Sequence, residues 1–151
     1  MRPTFIKHVS EVTAEGYEKK DEGIAGVSRD IGNAIGVERL GVDVTTIRPG
    51  KKSARLHHHK NKEEFFYVLE GRCRLRIGAE IHDLRPGDAV SRPAGSGVPH
   101  QFFNPYPKPC DVMMIGVMNG GGLSDEIHWP ELKLAAKIAA NGRRKLVKLK
   151  K

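Results

Sequence analysis

Cysteine is scarce in this chain: 151 residues hold two, Cys73 and Cys110. They form no close pair, which excludes a structural zinc knuckle. Both lie in apolar, strand-like contexts and read as reduced, buried thiols. Neither has the exposed, electropositive setting that a nucleophilic thiolate needs. No apolar run reaches transmembrane length, and the first residues lack the basic-then-apolar form of a signal peptide. The expectation is a soluble, cytoplasmic protein with no membrane contact. No internal repeat is evident, and nothing resembles a helix-turn-helix. At this length a single domain buries a sizeable core.

Acidic residues are missing after Glu131, while Lys133, Lys137, Arg143, Arg144, Lys145, Lys148, Lys150 and Lys151 follow. Those eight equal the whole net charge of +8, so residues 1–131 are neutral. The basic pI belongs to a tail. A solvated C-terminal segment is the first reading, and an anionic or nucleic-acid contact the second. The tail interleaves no aromatics, so stacking on single strands is unsupported.

What the chain does contain is a series of short β-compatible runs separated by Gly/Pro turns. Phe5 to His8 is expected as an edge strand, with a loop through Tyr17, and Gly23 to Ile35 as an irregular strand. Val37 to Arg48 alternates well, with Val42, Val44 and Thr46 on one face and Asp43, Thr45 and Ile47 on the other. Pro49-Gly50 ends it. Ser53 to His59 follows as a strand. Glu64 to Leu69 and Arg72 to Ile77 read as a hairpin through Glu70-Gly71. Ala79 to Leu84, Asp88 to Arg92, His100 to Phe103 and Val112 to Met118 complete the set. Gly120-Gly121-Gly122 reads as a hinge, Trp129 to Leu132 as a docking segment, and Leu132 to Ala140 as one or two helical turns. Many short strands with such turns argue for an all-β barrel or jelly roll.

Two stretches carry chemistry. In Gly50 to Gly71, His57 and His59 leave the same face if the chain is extended, and Glu64 opens the next strand. Two imidazoles and a carboxylate are the ligand types that divalent transition metals prefer. In Gly87 to Asn104, Pro93, Gly95, Gly97 and Pro99 punctuate a turn, and His100 opens a strand. His58 should point away from its neighbours. His8, His82 and His128 lack ligand-spaced company and read as surface or packing residues.

These stretches resemble the paired motifs of the cupin superfamily. The first reads Gly50-x6-His57-x-His59-x4-Glu64-x6-Gly71, with one extra residue before the first histidine. The second reads Gly87-x5-Pro93-x-Gly95-x4-His100-x3-Asn104, with two extra residues in the turn. Both extra lengths fall in loops, where insertion is cheap in closure entropy. The resemblance implies a single-domain, cupin-type double-stranded β-helix, a jelly-roll barrel. Residues 37–119 would form its core, 1–36 would pack on it, and 120–151 would be a C-terminal segment with the basic tail.

The resemblance also implies one divalent transition metal per chain, zinc, iron, manganese, nickel or copper, held by His57, His59, Glu64 and His100. Glu63 competes for the carboxylate position, although parity puts it on the opposite face with Phe65. Such an ion polarises carbonyls and keeps open positions for a ligand. Arg55 shares the parity of His57 and is a candidate for binding a carboxylate or phosphate. Glu63 and Tyr67 are candidate general bases. Phe66, Phe102 and Met114 or Met118 are candidate cavity walls, and Asn104 is expected to support the turn.

The implied functions are isomerisation, decarboxylation or dioxygenation of a small polar, sugar-like or carboxylate substrate. A sugar-phosphate-isomerase-like activity rests on fold analogy. The lysine-bearing motif of true phosphomannose isomerases is not visible. Two other readings stand beside the enzyme: a non-catalytic small-molecule sensor, and an adaptor that uses the basic tail. A homodimer is expected by resemblance.

Overall fold

Short alternating runs become strands here because one face of each has a core to cover. The computed structural model describes residues 1–117 and 123–150. Its strands are β1 (Glu15–Lys19), β2 (Ile24–Asp30), β3 (Leu40–Ile47), β4 (His58–His59), β5 (Glu64–Glu70), β6 (Cys73–Ile77) and β7 (Glu80–Leu84). They continue as β8 (Ala89–Arg92), β9 (His100–Phe103), β10 (Cys110–Val117), β11 (Asp125–Trp129), β12 (Leu134–Ile138) and β13 (Arg144–Lys148). One short helix, α1 (Ile31–Ala34), follows β2, and the Asp30 side chain caps it by accepting from Asn33 N–H at 2.9 Å.

The strands form a six-stranded sheet ordered β1-β2-β3-β10-β5-β8, a four-stranded sheet β13-β12-β11-β4, and a three-stranded sheet β7-β6-β9. Each strand pairing is antiparallel. Ile47, Phe66, Val68, Leu75, Phe102 and Val112 meet between the sheets as the core. Phe66 and Phe102 pack edge-on, with centroids 5.0 Å apart, a geometry worth roughly 0.5–1.5 kcal/mol beyond the area it buries. Cys73 and Cys110 are free, buried and in mutual contact, and that contact together with burial holds the Cys73 thiol protonated.

The all-β jelly roll expected from the sequence is the architecture observed. Several local expectations are corrected. Phe5 to His8 is no strand; the first element is a short 3-10 turn, Val9–Glu11, which His8 and Glu11 cap reciprocally. Tyr17 sits inside β1 instead of a loop. Ser53 to His59 is regular only at His58–His59; His57 makes a single bridge to His100 of β9, as Lys52, just before the stretch, does to Phe103 of the same strand. Glu64 to Ile77 is no hairpin. β5 pairs with β10 and β8, whereas β6 pairs with β7 and β9.

Gly71 is the point where the chain leaves one sheet for the other. Its φ is +73°, and a Cβ there would overlap the Pro109 carbonyl, so glycine alone suits the crossing.

The helical turns expected over Leu132 to Ala140 are β12 instead. Ala135 and Ala136 are both fully covered, because burial against β11 outweighs the helix preference of alanine. Asn141-Gly142 then closes a hairpin into β13, so the basic tail is largely a paired edge strand. The Gly120-Gly121-Gly122 hinge and Met118 lie outside the described residues. Among the described residues, no helix is long and apolar enough to cross a membrane.

Candidate metal centre

His57 and His100 face each other through reciprocal backbone hydrogen bonds, His57 N–H to His100 O at 3.2 Å and His100 N–H to His57 O at 2.8 Å. This isolated bridge brings the two motifs of the sequence into register. The imidazole centroids of His57 and His100 are 4.6 Å apart, and those of His57 and His59 5.2 Å. Glu64, the first residue of β5, sends its carboxylate between the rings. Oε1 lies 3.4 Å from His59 Nε2, and Oε2 lies 3.1 Å from His100 Nε2. Ligand atoms of His57, His59 and Glu64 all fall within 4.8 Å of one another.

The outer ring nitrogens are already committed. His57 Nδ1 donates to the Arg55 carbonyl at 2.7 Å, and His59 Nδ1 donates to Asp125 Oδ2 at 2.6 Å. Both hydrogen bonds engage Nδ1 and turn Nε2 inward. Asp125 is buried, and its second oxygen accepts from Asn61 N–H at 2.9 Å. A carboxylate behind a histidine is the usual outer support of a metal ligand. Burial and the neighbouring His100 and His59 press the His57 pKa down to about 4, so this ring is neutral at pH 7. Burial raises the Glu64 pKa, but hydrogen bonds from His100 and His59 win and hold it well below the usual range. Imidazoles and an ionised carboxylate converging on one point are the donor set a transition metal takes.

Residues 43–116 match the family model of the cupin domain. This chain carries a cupin domain. A solved structure from Acidithiobacillus ferrooxidans, provisionally assigned as a sugar phosphate isomerase, is similar to it at 25% identity and a TM-score of 0.86. That match covers 96% of this chain and 92% of the other. A cupin-superfamily sugar phosphate isomerase from Silicibacter pomeroyi has 24% identity and a TM-score of 0.80, covering 93% and 90%. A predicted oxalate decarboxylase from Thermotoga maritima has 16% identity and a TM-score of 0.62, covering 75% and 98%, and shows the fold alone. No curated protein matches the chain significantly.

The cupin cavity beside these ligands has a volume of about 300 Å³. Phe66, Phe102 and Met114 wall one side, as the sequence suggests. Asn104 is fully buried; its Nδ2 donates to the Ile47 and Lys108 carbonyls and its Oδ1 accepts from Tyr106 N–H at 2.9 Å, which holds the turn as expected.

The three candidate catalytic side chains of the sequence sit elsewhere. Glu63 is exposed, one residue out of phase with Glu64. Tyr67 falls on the opposite face of β5 from Phe66 and Val68. Arg55 leaves the cavity because Glu22 takes both arms of its guanidinium at 2.6 Å. His58 likewise turns outward and stacks on His128, with centroids 4.8 Å apart.

Tyr17, Lys62, Ser28 and Thr45 line the polar side of the cavity instead. Tyr17 pairs in register with Gly26, where a Cβ would meet the Tyr17 hydroxyl and lie 2.6 Å from the Thr46 carbonyl. The missing side chain at Gly26 makes room for the phenol. Burial pushes the Tyr17 pKa up to about 12, against a smaller pull from Arg48. Lys62 shares the parity of Glu64, a signal the sequence did contain. Asp125 had no such signal, because only the β11–β4 pairing brings it to His59.

Proposed function

We propose that this cupin is a metal-dependent enzyme acting on a small, oxygen-rich anion, a sugar-like phosphate or a carboxylate. The observation that carries this reading is the make-up of one cavity's lining: His57, His59, Glu64 and His100 share it with Lys62 and Tyr17. His57, His59, Glu64 and His100 would hold one divalent transition metal. When bound, it would supply Lewis-acid polarisation of a substrate oxygen.

The chain's own residues supply the rest. The Lys62 ammonium meets the substrate's anionic end, at a volume of about 300 Å³ that suits a small molecule. The Tyr17 phenol, neutral throughout the physiological range, donates a hydrogen bond or a proton to a developing oxyanion. Phe66, Phe102 and Met114 supply the apolar part of the lining and exclude water there. The similarity to the Acidithiobacillus ferrooxidans protein supports sugar phosphates as the first substrates to screen. A homodimer belongs to the same reading, and sedimentation at several concentrations checks it.

The deciding experiment is elemental analysis of untagged protein purified without metal resin, beside the double variant His57→Ala/His100→Ala. Stoichiometric metal that the double variant loses, with turnover of a phosphorylated sugar or oxo-acid by the loaded protein, supports the enzyme. Ligand binding without turnover would establish the sensor reading. No metal after reconstitution would end both.

A further inference from the structure

The outer face of the small sheet carries a charge arrangement that the cavity does not use. Lys60, Glu126, Lys137 and Lys145 form one row across β4's end, β11, β12 and β13: Glu126 is in register with Lys137, and Lys137 with Lys145. Lys60 reaches the row through its N–H to the Glu126 carbonyl at 2.9 Å, and its ammonium lies 3.3 Å from Glu126 Oε1. Directly opposed residues on antiparallel strands sit roughly 4.5–5.5 Å apart at Cβ, and like charges there are destabilising. The Lys137–Lys145 pair is therefore placed against its own stability.

Arg143, from the β12–β13 turn that Asn141 fixes by accepting from its N–H at 3.1 Å, and Arg144, the first residue of β13, line the same cleft. Together these side chains line a cleft of about 600 Å³. Of its two carboxylates, Glu126 already serves Lys60 and His128, and buried Asp125 serves His59 and Asn61. Among the described residues, Lys137, Arg143, Arg144 and Lys145 have no carboxylate within salt-bridge distance. Four unneutralised cations in a concave site are stabilised by a multivalent anion, and arginine forks suit phosphate oxygens in pairs.

We propose that this cleft binds a small oligophosphate group, held by Lys137, Arg143, Arg144 and Lys145. The lining contains no aromatic residue, so nothing there stacks on a base. The anion's charge is what the site recognises. No residue that lines the cleft also lines the cavity, so this inference stands independently of the proposed enzyme.

Titration calorimetry with inorganic tripolyphosphate at low salt tests it, using the full chain. Wild type should bind one equivalent, and Lys137→Gln/Lys145→Gln should weaken binding at least tenfold with a melting temperature that holds or rises, since the opposed like charges are gone. The variant Lys20→Gln/Arg85→Gln removes the same charge far from the cleft and should bind as wild type does. Equal weakening in both variants means that net charge alone acts, and overturns the site. So does an absence of tripolyphosphate binding. Vesicles carrying a bisphosphorylated inositol lipid, and a single-stranded oligonucleotide, form the other arms. Binding to either of these without saturable tripolyphosphate binding overturns the small-anion assignment.

Discussion

Asp125 holds His59: the carboxylate Oδ2 accepts from Nδ1 at 2.6 Å, 66 residues away in sequence. The pair joins β11 to the ligand-bearing β4, and Asn61 N–H locks the other oxygen. The candidate metal site is thus braced by a strand that neither sequence motif includes.

Replacing Asp125 with Asn leaves the shape and removes the charge behind His59. Metal affinity should fall roughly 10–100-fold, the usual effect of losing such a support. Asp125→Ala should also destabilise the fold by about 1–3 kcal/mol, since Asn61 N–H loses its buried partner. Chelator competition and chemical denaturation measure the two effects separately.

Glu64 and Glu63 are separated by strand parity. Glu64→Gln should abolish stoichiometric metal, while Glu63→Gln, on the exposed face, should retain it. Metal content after dialysis decides between them, and the reverse result would reassign the carboxylate ligand.

Lys62 should govern recognition of charge and not metal loading. Lys62→Met is expected to raise KM for an anionic substrate about tenfold or more, the scale of one charge-assisted hydrogen bond. Metal stoichiometry should not change. Steady-state kinetics with a charged substrate and its neutral analogue is the check.

Tyr17 should mark the alkaline edge of stability. Its folded-state pKa is raised from 10.0 to about 12 by burial. The folded state therefore keeps a proton that the unfolded chain loses. The associated stability is complete below pH 10 and declines as pH rises towards 12, by at most about 2–3 kcal/mol. Tyr17→Phe should lose less stability between pH 9 and pH 11 than wild type. Urea midpoints across that range test this, and parallel curves would place the phenol in contact with solvent.

Gly71 should tolerate no side chain. Gly71→Ala adds a Cβ into the Pro109 carbonyl at a φ of +73°, and a loss of about 2–4 kcal/mol is expected from overlap and strain together. The melting temperature should fall further in Gly71→Ala than in Gly87→Ala, which shares the positive φ (+95°) but lies in open space; equal falls would leave strain as the sole cause.

The jelly-roll class, the positions of its central strands and the clustering of His57, His59 and Glu64 follow from local sequence pattern. Strand alternation is a local property, and the spacing of His57, His59 and Glu64 converts directly into shared faces. Asn104 was legible for the same reason: its motif position places it at a turn that needs its hydrogen bonds. The misreadings share one cause. Pairing partners are non-local, so Glu64 to Ile77 read as a hairpin although its halves enter different sheets. Alanine's helix preference at 135 and 136 was overruled by burial that only β11 supplies. Tyr67 and Arg55 were placed by type and parity, but β5's outer face and the Glu22 carboxylate claimed them. Tyr17 and Asp125 reach the site from β1 and β11, whose distance in sequence carries no information about where sheets close. Tertiary structure decided those contacts, because burying one face of each strand fixes its neighbours, and the neighbours fix the chemistry of the cavity.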